Sequence, residues 1–127
     1  MPTEYKIDTQ FQVVFCRAWG SLTDSDLNDC HKQIRNDPVF EPDMNQLFDF
    51  SEVERVELSS SGIRTLADRD LFGVGAKRAF SIGPGAMAMF GMMRMFQILT
   101  DEHLDELRVQ FNDMQGARAW LGLPESS

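Results

Sequence analysis

Gln46-Leu47-Phe48-Asp49-Phe50, then Ser51 to Glu57, then Leu58-Ser59-Ser60-Ser61-Gly62-Ile63-Arg64-Thr65-Leu66-Ala67, is the stretch whose reading decides the fold. The first five residues read as a buried strand, and Ser51 to Glu57 as a charged crossing. The serine run opens a helix, because serine is among the preferred N-cap residues. Ile63, Leu66, Ala67 and Leu71 share one face of that helix, and Arg64, Asp68 and Arg69 lie away from it. A strand, a crossing and a helix in succession make the unit of an α/β domain.

Toward the N-terminus, Glu4 to Asp8 and Phe11 to Trp19 read as two strands joined at Thr9-Gln10. Phe11, Val13 and Phe15 alternate with Val14, Cys16 and Ala18, so the second strand is apolar on both faces and is expected to be covered on both. Gly20-Ser21-Leu22 is expected to end it. Thr23 reads as an N-cap with Asp26 three residues on, close to a capping box. Leu27, Cys30, His31 and Ile34 follow at helical spacing, Asn36-Asp37-Pro38 stops the helix, and Val39 to Asn45 is a loop.

Toward the C-terminus, Gly73-Val74-Gly75 is expected to end the second helix. Arg78 to Ile82 reads as a strand with Phe80 and Ile82 on one side and Arg78, Ala79 and Ser81 on the other. Gly83-Pro84-Gly85 turns the chain into a methionine-rich helix from Ala86 to about Thr100. Leu107 to Phe111 is a last strand with Val109 and Phe111 facing inward, and Met114 to Leu121 a closing helix. The order ββαβαβαβα implies a mostly parallel sheet with right-handed crossovers. One domain, 1–123, with a tail at 124–127, accounts for the 127 residues.

Composition narrows the function. The 43% hydrophobic and 25% charged residues are those of an ordinary soluble globular chain. A net charge of −8 repels nucleic acid and anionic membrane, so neither is an expected partner. Cys16 and Cys30 lie in no CxxC or histidine-paired motif and read as reduced and packed. No secretory signal is visible, and the longest apolar-rich segment, Ala86 to Leu99, is short for a membrane span and carries Arg94. A cytoplasmic protein, not an integral membrane one, is expected.

Two segments, Leu47-Phe48-Asp49-Phe50-Ser51-Glu52-Val53 and Leu58-Ser59-Ser60-Ser61-Gly62-Ile63, resemble the strand-loop-helix centre of the STAS domain. In antagonists of the SpoIIAA type that centre carries Asp-Ser-Ser-Gly, and the serine before the glycine is phosphorylated. The resemblance places that serine at Ser61 and the glycine at Gly62, with Ser59 standing where the motif has aspartate. Ser21-Leu22-Thr23-Asp24, Asp37-Pro38-Val39-Phe40, Phe90-Gly91-Met92-Met93-Arg94-Met95-Phe96 and Ala119-Trp120-Leu121-Gly122-Leu123 extend the likeness to the small stand-alone bacterial SpoIIAA-like proteins, grouped with STAS and Sec14-like domains. The resemblance implies an α/β fold of successive βα turns on one sheet. It implies no established activity.

Three surfaces stand out. A helix N-terminus favours anions, and phosphate on a serine there alters both helix and surface. Ser61, then Ser60, are therefore the switch candidates, and Asp49, Ser59 and Gly62 the anion- or partner-sensing surface; the plain alternative is one capping serine in a polar turn. In the methionine-rich helix, Met89, Met92, Met93, Phe96 and Leu99 gather on one side, and Met87, Phe90 and Ile98 fall on the other beside Arg94 and Gln97. Methionine adapts to varied surfaces, so the second side, Met87, Phe90, Arg94 and Ile98, is the candidate surface for a second copy or an apolar ligand; its alternative is a second buried face.

No HExxH, GxSxG, P-loop or dinucleotide fingerprint is present, and His31 and His103 stand in no metal pattern. Catalytic residues, metals and cofactors are not expected. The first expectation is a non-enzymatic regulatory or protein-interaction module able to self-associate. The second is a binding protein or sensor for a small apolar, lipid-like ligand.

Overall fold

A computed structural model describes residues 2–69, 76–84, 89–99, 107–111 and 113–124. Strands β1 (Thr3–Asp8) and β2 (Val13–Thr23) form an antiparallel hairpin, with Ile7 opposite Val14 and Tyr5 opposite Cys16. Strands β3 (Asn45–Glu57), β4 (Arg78–Ile82) and β5 (Leu107–Phe111) add to it in parallel, giving one five-stranded mixed sheet in the order β1-β2-β3-β4-β5. Between them run α1 (Asp24–Arg35), α2 (Ser60–Asp68) and α3 (Met89–Leu99), and α4 (Met114–Trp120) follows β5.

The pleat sends alternate residues to two cores. On one face Val14, Cys16 and Ala18 of β2, Phe48 and Phe50 of β3, and Phe80 and Ile82 of β4 pack with α1, α2 and α3. Phe48 and Phe50 stack at 4.1 Å, and each meets the Phe80 ring edge-on at 6.2 and 6.1 Å. Quadrupolar rings prefer these offset and perpendicular arrangements. On the opposite face Val13, Leu47 and Ala79 pack under Ala117, Leu121 and Leu123.

Several local expectations change. β3 does not stop at Phe50: Ser51 to Glu57 continue it and pair with the end of β2, Trp19 opposite Glu52 and Leu22 opposite Val56. Backbone pairing needs no apolar side chain; here Val53 is buried while Glu52, Glu54, Arg55 and Glu57 project to solvent. Gly20 likewise does not end β2. It sits at a register shift with φ +66, a left-handed conformation that glycine adopts without a Cβ clash, and the strand bends and runs on to Thr23. Phe11 lies in the hairpin turn, 41% exposed, rather than in the strand. Arg78 shares the face of Phe80, as a two-residue period requires, and not that of Ala79.

The capping box is present: the Asp26 backbone N–H donates to Thr23 Oγ1 at 3.2 Å, and the Thr23 N–H to Asp26 Oδ2 at 2.9 Å. Met93 and Phe96 of α3 are buried, whereas Leu99, expected on the same side, is 41% exposed at the helix end. The expectations for Leu71, Gly73-Val74-Gly75, Met87 and the first turn of the methionine-rich helix lie outside the described residues. So do those for the side chains of Met89, Phe90, Gln97, Val109 and Phe111.

Tyr5 fastens β1 to the end of α1. Its hydroxyl donates to Asp37 Oδ2 at 2.8 Å and lies 3.3 Å from the Gln33 carbonyl oxygen. Burial first, and the Asp37 carboxylate second, push its pKa up to about 12. The folded state thus favours the neutral phenol. The stability this contributes is complete below the unfolded value near 10 and is lost as pH rises through the folded value of about 12. Tyr5 is the sole tyrosine, so tyrosinate absorbance reports it alone. The native midpoint is expected well above that of the unfolded chain, and Asp37→Asn should lower it only part of the way, because burial remains. A native midpoint near 10 would show that Tyr5 does not dock as described.

Candidate functional site

The serine run folds as a cap. Ser59 is the N-cap of α2, and its Oγ accepts the Gly62 N–H at 3.0 Å. That oxygen also donates to Asp24 Oδ2 at 2.5 Å, while the Ser59 N–H donates to Asp24 Oδ1 at 3.0 Å. The Ser59 proton is therefore committed to Asp24, so Ser61, whose Oγ lies 3.1 Å from Ser59 Oγ, must be the donor in that contact. Asp24 is the first residue of α1. One carboxylate thus sits at the positive ends of two helices and ties them together. The anion that a helix N-terminus favours is supplied here by the chain itself.

Gly62 is explained by the same contact. A Cβ built on it would run into the Asp24 carboxylate. Asp49, expected in the same surface, is not part of it. It falls on the α4 side of the sheet with Leu47, accepts the Ser51 N–H at 2.8 Å, and borders a hollow with Glu4, Lys6 and Arg17. Ser60 and Ser61 are exposed.

A second tie joins the same helices farther along. His31 Nε2 of α1 lies 2.6 Å from the carbonyl oxygen of Arg69, the C-cap of α2. A carbonyl only accepts, so Nε2 carries the hydrogen. Protonation would leave this bond in place, since both nitrogens of imidazolium donate.

Behind these ties, between the sheet and α1, α2 and α3, is a cavity of about 80 Å³. The floor is Gln46, Phe48 and Phe50 of β3 with Arg78 and Phe80 of β4; the roof is Leu27, Cys30 and Ile34 of α1, Ile63 and Leu66 of α2, and Met93 and Phe96 of α3. His31 completes the wall. Of these residues only His31 and Leu66 are partly exposed, which places the mouth in the gap between α1 and α2.

The lining is hydrocarbon except for one polar strip. Arg78, 7% exposed, donates through Nε to Gln46 Oε1 at 3.1 Å, and Gln46 Nε2 donates to Cys16 Sγ at 3.5 Å. The Arg78 guanidinium lies over two rings of the cavity, 5.0 Å from the Phe96 centroid and 5.6 Å from that of Phe80. Both cysteines are free thiols, as expected. The two thiols act on each other: Cys16 lowers the pKa of Cys30, and Cys30 together with burial raises that of Cys16.

The surface expected from the methionine-rich helix is reached in part. Arg94 and Ile98 are exposed, Ile98 at 65%; Met87 and the Phe90 side chain lie outside the described residues. The cavity residues were not singled out from sequence. Gln46 and Arg78 carried a signal in hindsight, as polar residues at the ends of buried strands, but only the register places them side by side.

Among the described residues, no group of three or more His, Cys, Asp or Glu side chains could hold a metal ion, and no helix is long and apolar enough to cross a membrane. No protein-family model matches the chain, and no curated protein matches it.

Asp24→Ala should destabilise the fold by about 1–3 kcal/mol, the cost of stranding the partly buried Ser59 donors. Gly62→Ala should also destabilise, by displacing the same carboxylate. In the Asp24→Ala background, however, Gly62→Ala should become neutral or stabilising, because alanine is the better helix former by about 1 kcal/mol. Denaturant midpoints of the four proteins test this. Additive losses would show that Gly62 is needed for a reason other than Asp24.

Proposed function

We propose that the chain is a non-enzymatic binding module of the SpoIIAA-like, STAS-related kind, and that its working site is the cavity under α1 and α2, which takes a small apolar ligand. The βα order on a mostly parallel sheet and the segments quoted above support the family reading; the buried free thiols support a reducing, cytoplasmic setting. The cavity carries the functional reading. Protein interiors pack with few voids larger than a water molecule. Apolar lining left facing water forgoes the free energy of burial. An apolar occupant recovers that loss. A mouth framed by Leu66 and His31, between two helices tied at separate points, offers an entrance that opens without disturbing the sheet.

Two measurements test this. Native mass spectrometry of freshly purified protein, beside a denatured sample, should show mass lost on denaturation, or the bare protein should gain thermal stability with 1-hexanol. Leu66→Trp, which fills the mouth, should remove that response and leave the fold intact. Absence of bound mass together with absence of any shift from apolar additives would sink the reading.

A second reading, an interaction module that self-associates, is favoured by the exposure of Ile98 at 65% and Leu99 at 41% at the end of α3, beside exposed Arg94. Phosphate on exposed Ser61, or on Ser60, would regulate such a module by bringing about −1.5 to −2 charges toward Asp24 and straining the tie between α1 and α2. Sedimentation equilibrium should then give a mass above the 14.5 kDa monomer, and Ile98→Asp should return it to the monomer. A monomer at high concentration in the unsubstituted protein removes this reading.

A further inference from the structure

We infer that β1 pairs edge to edge with β1 of a second copy of this chain, antiparallel about a twofold axis at Tyr5, so that two sheets join into one. The inference rests on the self-association reading above, names a surface for it other than the end of α3, and does not involve the cavity. β1 is an edge of the sheet, paired with β2 on one side. The Trp19 N–H donates to the Pro2 carbonyl oxygen at 2.9 Å, and this fixes the phase of the ladder. In that register Glu4, Lys6 and Asp8 turn their backbone groups toward β2, and Thr3, Tyr5 and Ile7 turn theirs outward. Among the described residues no other backbone group bonds to this outward row. Such a row of donors and acceptors is a template for a further strand.

Charge selects the partner and the register. Outward residues can bond only to outward residues, so two copies of β1 can shift past each other only in steps of two. With Tyr5 opposite Tyr5, Thr3 faces Ile7 of the second copy and Glu4 faces Lys6. Both Glu4–Lys6 pairs then fall at positions without backbone bonds, where facing Cα atoms are about 4.5 Å apart and side chains come closest. Shifted one way, Lys6 faces Lys6 and Glu4 faces Asp8. Shifted the other way, Glu4 faces Glu4. Like charges directly opposite are destabilising, and larger shifts leave little of the strand paired. Charged residues on an edge strand commonly guard it against pairing. Here they guard against the wrong registers and favour one.

The same face already carries the beginning of this arrangement. Arg17 of β2 lies 3.4 Å from Glu52 of β3 and 3.0 Å from Glu4 of β1, so charge alternates from strand to strand toward the edge. Lys6 of the second copy is next in line and continues the alternation. Glu4 and Lys6 are both exposed. On the opposite face the Tyr5 hydroxyl, bonded to Asp37 at 2.8 Å, holds β1 against the end of α1. The edge is therefore set in place before it meets its partner, which limits the ordering cost of association.

Sedimentation equilibrium of the full chain tests this at about 0.15 M salt, where the net charge of −8 on each copy is screened beyond about 8 Å. The unsubstituted chain should dimerise as its concentration rises. Glu4→Lys and Lys6→Glu, each alone, place like charges opposite in both symmetric pairs and should raise the dissociation constant roughly tenfold or more. An equimolar mixture of the two variants should restore the dimer, because every facing pair is then opposite in sign. Circular dichroism of each variant should match the parent, since both positions are exposed. The backbone amides of Tyr5 and Ile7 should exchange more slowly in the dimer than in the monomer. A dimer that resists both charge reversals but dissociates with Ile98→Asp overturns the edge pairing and keeps the self-association reading. Equal exchange of those amides in monomer and dimer overturns the edge pairing as well. A monomer at every concentration overturns both.

Discussion

The two faces of β3 give this domain its layers. Phe48 and Phe50 project from one face into the core shared with α1, α2 and α3; Leu47 projects from the other, under α4. The strand is paired along its length, to β2 on one side and β4 on the other. A shift of one residue in that register would exchange the faces and put Asp49 where Phe48 and Phe50 stack. The aromatic cluster, the floor of the cavity and the juxtaposition of Gln46 with Arg78 all inherit their positions from this one pairing.

Above that sheet, the geometry of α1 and α2 is set by polar contacts at separate points. The Asp24 carboxylate joins the helix starts, and His31 reaches the backbone at the end of α2. Between these ties α2 contributes few buried residues, chiefly Ile63. These hydrogen bonds act beside the apolar packing of Leu27, Ile34, Ile63 and Leu66, and the space beneath the two helices is the cavity.

The polar strip from Arg78 through Gln46 to Cys16 is the expensive part of this interior. Buried polar groups require partners, and a buried guanidinium requires strong ones. Its hydrogen bond to Gln46 and the two ring faces are among the contacts that meet that requirement.

Local chemistry was legible from the chain alone wherever a few neighbouring residues decide the outcome. The N-cap Thr23, a capping serine in the run that opens α2, the capping box to Asp26, the stop at Asn36 and the order of strands and helices follow from propensity and period, and all are present, with Ser59 as the serine that caps. Charge misled at Ser51 to Glu57, because a strand can carry charges on its solvent side while its backbone stays paired. Glycine misled at Gly20, since a left-handed residue serves a bulge as well as a turn. What only the tertiary structure decided is what distant segments do to one another. Asp24 reaches Ser59 across 35 positions, His31 reaches Arg69 across 38, and Gln46 meets Arg78 across 32. No local pattern encodes these meetings, because they depend on how helices settle on a twisted sheet. For the same reason the sequence determined the elements of this protein, while tertiary packing alone decided that they enclose a cavity with a charge in its wall.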